Sequence, residues 1–129
     1  MTYTLTGLFD DGSTQASSLP TNARTTLQVP LGVNATIAVQ VLTPSGGVYP
    51  IGAATLVLTV KKKALEDNKI QKTAVIAGNI ATFTIVPADT KNLLPGAYIY
   101  DVWMTLGGLR NPVVPLSPFV LLSSVTPPP

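Results

Sequence analysis

The fold is decided by one stretch of sequence, Pro87-Ala88-Asp89-Thr90-Lys91-Asn92-Leu93-Leu94-Pro95-Gly96-Ala97-Tyr98. Pro87 can open a single helical turn, because the N–H that proline lacks would be unpaired there, and Asp89 can cap that turn. Pro95-Gly96 supplies a fixed φ followed by a permissive one, as a type II turn requires. Tyr98 then begins a new strand, where its ring can fill a core while its hydroxyl bonds back to the corner backbone. This device is the tyrosine corner of Greek-key sandwiches. We assign the corner to Pro87, Asp89, Leu94, Pro95, Gly96 and Tyr98.

Alternation of apolar and polar residues extends this prediction along the chain. Ile37, Val39 and Val41 form one face of a strand, and 54–62 follows with the same period. Gly78-Asn79 and Gly107-Gly108 predict two hairpins, one joining 72–77 to 80–86 and the other joining 97–106 to 109–114. The last strand is expected at 119–125. About seven short strands separated by turn signals predict an all-β, immunoglobulin-like antiparallel β-sandwich.

Three parts of the chain follow from this pattern. Residues 1–34 form an N-terminal extension that is expected to form strands, since 2–9 alternates clearly. Residues 35–125 form the sandwich. Residues 126–129 form an extended proline tail, because proline cannot continue a strand ladder.

Charged residues are scarce in this sequence. They make up 11% of its 129 residues, against 46% hydrophobic residues, whereas about a quarter is usual for a soluble domain. Mean hydropathy is +0.39. We therefore expect other protein to cover apolar surface, although Thr-rich β-proteins with this composition also exist as monomers.

Several function classes are excluded by composition. No run approaches the ~20 apolar residues of a spanning helix, and a net charge of +2 is too weak a signal for nucleic acid. The absence of Cys and His removes disulfides, the usual catalytic triads and the usual zinc sites. No glycine-rich phosphate loop precedes a helix.

Carboxylates are the remaining candidates for catalysis. Asp10-Asp11 and Glu66-Asp67 are adjacent pairs in turns, where neighbouring side chains diverge, while Asp89 and Asp101 are isolated in sequence. A glycosidase needs two carboxylates facing one cleft. We predict that the protein is not an enzyme, and we assign no catalytic, cofactor-binding or metal-ligating residue, no cofactor and no small-molecule substrate.

A family resemblance is carried by three runs of residues. They are Phe83-Thr84-Ile85-Val86-Pro87-Ala88-Asp89-Thr90, then Leu94-Pro95-Gly96-Ala97-Tyr98-Ile99-Tyr100-Asp101-Val102, and Leu56-Val57-Leu58-Thr59-Val60-Lys61-Lys62. The sequence resembles the immunoglobulin-like domains of tailed-bacteriophage virion proteins over 35–125. Such domains include the N-terminal domain of siphophage baseplate upper proteins and related tail and capsid-surface modules.

The resemblance implies a structural role in the virion, with other virion proteins, and copies of this chain, as partners. Baseplate upper proteins continue into a long C-terminal fibre, whereas this sequence stops at Pro129. We therefore expect a multi-copy capsid decoration (cementing) subunit. A small tail, neck or baseplate accessory is the alternative. The start of the sequence resembles no secretion signal, so synthesis in the host cytoplasm is expected.

Candidate interface residues follow from the strand pattern. If Tyr98 and Tyr100 face the core, Ile99 and Trp103 face outward, and tryptophan is enriched at interaction hot spots. Alternatively, the N-terminal segment from Tyr3 to Phe9 folds back over Trp103 within the same subunit. The same alternation places Lys61 and Lys63 on the outer face, either as a solvated strand end or as a contact for an acidic patch.

The chain ends supply further candidates. The N-terminal strand, with Tyr3 and Leu5, could add to a neighbour's sheet. The tail residues Pro127, Pro128 and Pro129 could lie in an adjacent groove. A different class of function, a host-surface saccharide module, would use Tyr49, Tyr3 and Trp103 for stacking.

Overall fold

The computed structural model describes residues 2–9, 26–43, 45–63 and 68–123. Within these ranges it contains nine strands and one short helix. In chain order they are β1 (Thr2–Leu8), β2 (Leu27–Pro30), β3 (Ala35–Leu42), β4 (Thr55–Lys61), β5 (Asn68–Thr73), β6 (Val75–Ala77), β7 (Ile80–Ile85), α1 (Pro87–Thr90), β8 (Gly96–Leu106) and β9 (Leu109–Leu122).

The strands form two packed sheets. The four-stranded sheet has the order β1-β3-β7-β6, and the five-stranded sheet has the order β2-β9-β8-β4-β5. The prediction of an all-β sandwich is confirmed, with nine described strands where about seven were expected. Two pairings, β1 with β3 and β2 with β9, are parallel, while the others are antiparallel. Alternation reveals strands but carries no information about their direction.

Both N-terminal strands belong to the sandwich itself. β1 pairs with β3 along its whole length, and β2 pairs with the end of β9. A methyl group at Gly7 would lie 3.2 Å from the Val113 carbonyl oxygen, so the glycine lets β1 approach β9 at the sandwich edge. β1 and β2 are therefore edge strands of the two sheets. The predicted proline tail, 126–129, lies outside the described residues.

The core lies between the inward faces of the two sheets. Its largest wholly buried side chains include Tyr100, Phe83 and Phe119, and the Tyr100 and Phe119 rings meet edge to face at 6.2 Å. Burial raises the pKa of Tyr100 to about 12, and its hydrogen bond with Ser117 acts in the opposite direction. Hydrophobic burial is the main term that holds such a sandwich together.

Two predicted strand boundaries were wrong. The stretch 72–77 is divided between sheets: β5 ends at Thr73, and the Ala74 N–H donates to the Leu56 carbonyl oxygen at 2.9 Å. The predicted strands 109–114 and 119–125 are one strand, β9. Its prolines are tolerated because β2 pairs with β9 only from Phe119 onward, which leaves the proline-bearing edge without a partner strand in the described part of the chain.

Candidate interaction surfaces

The corner has the tyrosine hydrogen bond that its sequence suggests. The hydroxyl of Tyr98, a residue 6% exposed, donates to the Leu94 carbonyl oxygen at 2.7 Å. The Lys62 ammonium lies 4.6 Å from the centre of the same ring and donates to the Ala97 carbonyl oxygen at 2.9 Å. Gly96 opens β8 with a φ of +143°, which glycine adopts readily.

The helical turn is fixed from two sides. Asp89 accepts the Val86 N–H at 2.8 Å through Oδ2, and the same oxygen lies 2.9 Å from the Lys72 ammonium. Thr90 is wholly buried, and its hydroxyl oxygen accepts the Gly32 N–H at 3.0 Å. Sequence reasoning missed Thr90, because Gly32 lies 58 residues away and no local pattern connects the two.

A shallow apolar pocket of about 280 Å³ adjoins the corner. Its walls include Leu93, Leu94, Tyr98 and the lysines Lys62 and Lys69. Leu94 is 79% exposed at this site, so the corner combines apolar surface with positive charge.

The three consecutive lysines diverge. β4 ends at Lys61, so alternation does not carry Lys63 onto the same face. Lys61 is half-buried on the outer face of the five-stranded sheet, Lys62 turns to the corner, and Lys63 is exposed. The alternation on which the pairing of Lys61 with Lys63 was based therefore ends at Lys61, and a partner contact of these two lysines stays a prediction.

Trp103 lies in a groove on the outer face of the five-stranded sheet. The groove encloses about 330 Å³, and its walls are Thr59, Lys61, Asn68, Gln71, Asp101, Trp103 and Arg110. The indole Nε1–H donates to Asp101 at 3.0 Å, and the Arg110 guanidinium lies 4.5 Å from the ring centre. β1 lies in the other sheet, so the segment from Tyr3 to Phe9 does not cover Trp103. Ile99 is half-buried on the same face.

The N-terminal candidates are mostly internal. Leu5 is a core residue, 3% exposed, so its proposed contact with a partner is wrong for the sandwich with β1 in place. Tyr3 is half-buried and donates its hydroxyl to the Gln28 carbonyl oxygen, and burial raises its pKa. Pro127, Pro128 and Pro129 lie outside the described residues.

The aromatic residues considered for sugar stacking are not brought together. Tyr49 packs on Phe9 with ring centres 4.5 Å apart. Tyr3 pairs with Ile37, near one end of β3, whereas the Tyr49 N–H donates to Val41, near the other end. Trp103 faces away from both on the second sheet.

The carboxylates in the described part of the chain are both engaged. Asp89 belongs to the corner and Asp101 to the Trp103 groove; the other four lie outside the described residues. No group of three or more His, Cys, Asp and Glu side chains that could hold a metal occurs among the described residues. No helix there has the length and apolar character needed to cross a membrane.

Sequence reasoning missed the surface with the most unusual composition, the outer face of the four-stranded sheet. None of the residues in β1, β3, β6 and β7 is charged. We call the outward residues of these strands the neutral face; they are Thr2, Thr4, Thr6, Leu8, Thr36, Ala38, Gln40, Leu42, Val75, Ala77, Ile80, Thr82 and Thr84. All charged residues that the structure describes lie elsewhere.

The neutral face also carries exposed apolar side chains. Val75 is 73% exposed and Ile80 37% exposed. In a soluble domain about a quarter of all residues are charged, and most of them lie on outer faces such as this one. The buried centres of interfaces, by contrast, are depleted of charged residues. The neutral face is therefore our principal candidate interaction surface.

Comparison with solved structures shows a likeness of fold. No family model and no curated protein matches the sequence. The fold is similar to the solved N-terminal domain of phage TP901-1 ORF48, with a TM-score of 0.53 and 11% sequence identity, over 95% of this chain and 98% of that one. At this identity the likeness concerns the fold alone.

Proposed function

We propose that this protein is a non-catalytic structural subunit of a tailed-bacteriophage virion, and that it binds neighbouring virion proteins through the neutral face. The observation that carries the proposal is the absence of charge from four adjacent strands. Covering a charged side chain costs free energy unless the charge is paired. A face without charges can be covered by another protein without that cost.

The chemistry of the neutral face suits burial. The main-chain groups of β3 and β7 are paired within the sheet, so a partner that covers them leaves no additional buried N–H without a hydrogen bond. The threonine methyl groups and the side chains of Val75 and Ile80 then contribute apolar area at about 25 cal/mol per Å².

Two observations support a phage origin. The corner and its flanking strands resemble immunoglobulin-like domains of phage virion proteins, and the fold is similar to that of a phage protein domain along almost its whole length. The particular resemblance to baseplate upper proteins favours a tail or baseplate accessory. We place that role ahead of the capsid decoration role that we expected from the sequence.

The non-catalytic part of the proposal rests on the residues present. The sequence has no His and no Cys. The two described carboxylates, Asp89 and Asp101, bind side chains of their own domain.

The test is to find the protein in particles. Virions of the phage that encodes this chain are purified, heads and tails are separated, and each fraction is analysed by quantitative mass spectrometry. We expect a fixed multi-copy stoichiometry in the tail fraction; the same result in the head fraction would instead support capsid decoration. Absence from both fractions, with the protein abundant in infected cells, would refute the proposal.

A further inference from the structure

We propose that the neutral face binds the neutral face of a second copy of this chain. This inference rests on the proposed function and adds the identity of the partner. It commits to a face-to-face pair related by a two-fold axis, in which each residue meets residues of the same surface.

The first support is charge compatibility. In a two-fold pair, any charge near the axis faces an identical charge, and such contacts between like charges destabilise the pair. The neutral face contains threonine, alanine, glutamine, valine, isoleucine and leucine only. The outer face of the five-stranded sheet differs, because Lys61, Asp101 and Arg110 lie there.

The second support is the shape that the strand register gives. Thr4, Ala38, Thr82 and Val75 lie side by side across the middle of the sheet. The central residues of this row, Ala38 and Thr82, have short side chains, so a second sheet can approach to about the 10 Å spacing of packed sheets. Threonines that meet across such a contact can satisfy each other as donor and acceptor.

The available area sets the strength of the pair. The four strands contain 24 residues. At about 3.3 Å per residue and about 4.8 Å between strands they give a plane of roughly 380 Å² on each copy. A standard stable interface buries about 800 Å² per partner. The pair is therefore weak in dilute solution and forms where many copies are held close together, as in a virion, because tethering raises the effective concentration.

Chemical crosslinking captures such a weak pair. The chain contains no cysteine, so Thr82→Cys places a single thiol at the centre of the neutral face. The matched control is Thr105→Cys, which replaces an exposed threonine of β8 in the other sheet. Each purified variant is oxidised with copper phenanthroline over a range of protein concentrations, and the disulfide-linked dimer is measured on non-reducing denaturing gels.

We expect the dimer of Thr82→Cys to form at least about tenfold faster than that of Thr105→Cys, because a preformed pair raises the local thiol concentration. Adding Thr4→Lys or Ala38→Lys, each checked for folding by circular dichroism, should reduce the rate to that of the control. Equal rates for the two single-cysteine variants would overturn the inference.

A second arm separates failure of the inference from failure of the proposed function. Phage particles that carry Thr82→Cys or Thr105→Cys are labelled with a maleimide dye. If Thr82→Cys is protected in particles but gives no more dimer than Thr105→Cys in isolation, even at the highest protein concentration, a different virion protein covers the neutral face, and only the second-copy inference fails. If it is labelled as fast as Thr105→Cys in particles, the proposed role of the neutral face fails as well.

Discussion

Replacing Tyr98 with phenylalanine measures the free energy that the corner hydrogen bond contributes. The change removes the hydroxyl that donates to the Leu94 carbonyl oxygen at 2.7 Å and leaves the buried ring in place beneath Lys62. A hydrogen bond of this kind contributes about 0.5–1.5 kcal/mol net. Because Tyr98 is only 6% exposed, water cannot readily replace its bond, and we expect about 1–1.5 kcal/mol of destabilisation.

Urea unfolding monitored by Trp103 fluorescence measures this loss. With a slope of about 2 kcal/mol/M, the midpoint should fall by about 0.5–0.75 M. Tyr49→Phe is the matched control, since the Tyr49 ring packs on Phe9 and its hydroxyl has no hydrogen bond to any described residue. That variant should stay within about 0.5 kcal/mol of the unmodified protein. Equal midpoints for the two variants would refute our account of the corner.

Three further substitutions test the fold. Asp89→Ala removes both the Val86 hydrogen bond and the Lys72 ion pair, so we expect the free energy of unfolding in urea to fall by about 1–2 kcal/mol. Asp89→Asn should lose less stability, because its side-chain oxygen still accepts the Val86 N–H. Thr90→Val leaves the Gly32 N–H without its partner and should cost about 1–3 kcal/mol, measured by calorimetry against an exposed-site control such as Thr105→Val. Tyr100 has a pKa raised to about 12 by burial, so the folded state holds its proton more tightly than the unfolded state does. The stability this provides is complete below about pH 10 and is lost between about pH 10 and pH 12, by about 2–3 kcal/mol; Tyr100→Phe should remove this part of the alkaline loss, and an unchanged pH profile would contradict the assignment.

The features that the sequence predicts well are local ones. The corner joins a proline, a capping carboxylate, a Pro-Gly pair and a tyrosine within twelve residues, so each physical requirement is visible in one stretch. The Gly78-Asn79 and Gly107-Gly108 turns are local in the same sense, and both hairpins are present. The all-β class could be predicted because apolar and polar residues alternate in almost every segment.

The features that the sequence could not predict depend on which strands become neighbours. The parallel pairing of β1 with β3 could not be predicted, because the alternation of apolar and polar residues indicates a strand but not the direction of its neighbour. The sequence pattern does not show that the strand of Leu5 forms the edge of its own domain's sheet, and therefore does not show that Leu5 belongs to the core. The prolines of β9 predicted a break, because the unpaired edge that accommodates them belongs to the assembled sheet.

The neutral face combines both kinds of information. The absence of charge in 2–8, 35–42, 75–77 and 80–85 can be read from the sequence. Only the sheet order shows that these four segments are neighbours. The sequence as a whole is poor in charged residues, and the folded domain places four segments that have none next to one another.

The most direct test of our central claim is a cryo-EM map of the virion at a resolution that places this domain. We predict density of a neighbouring protein against the outer face of β1, β3, β7 and β6, with Ala38 and Thr82 shielded from solvent. A map in which that face is bare, while the groove of Trp103 and Arg110 carries the contacts, would contradict the account.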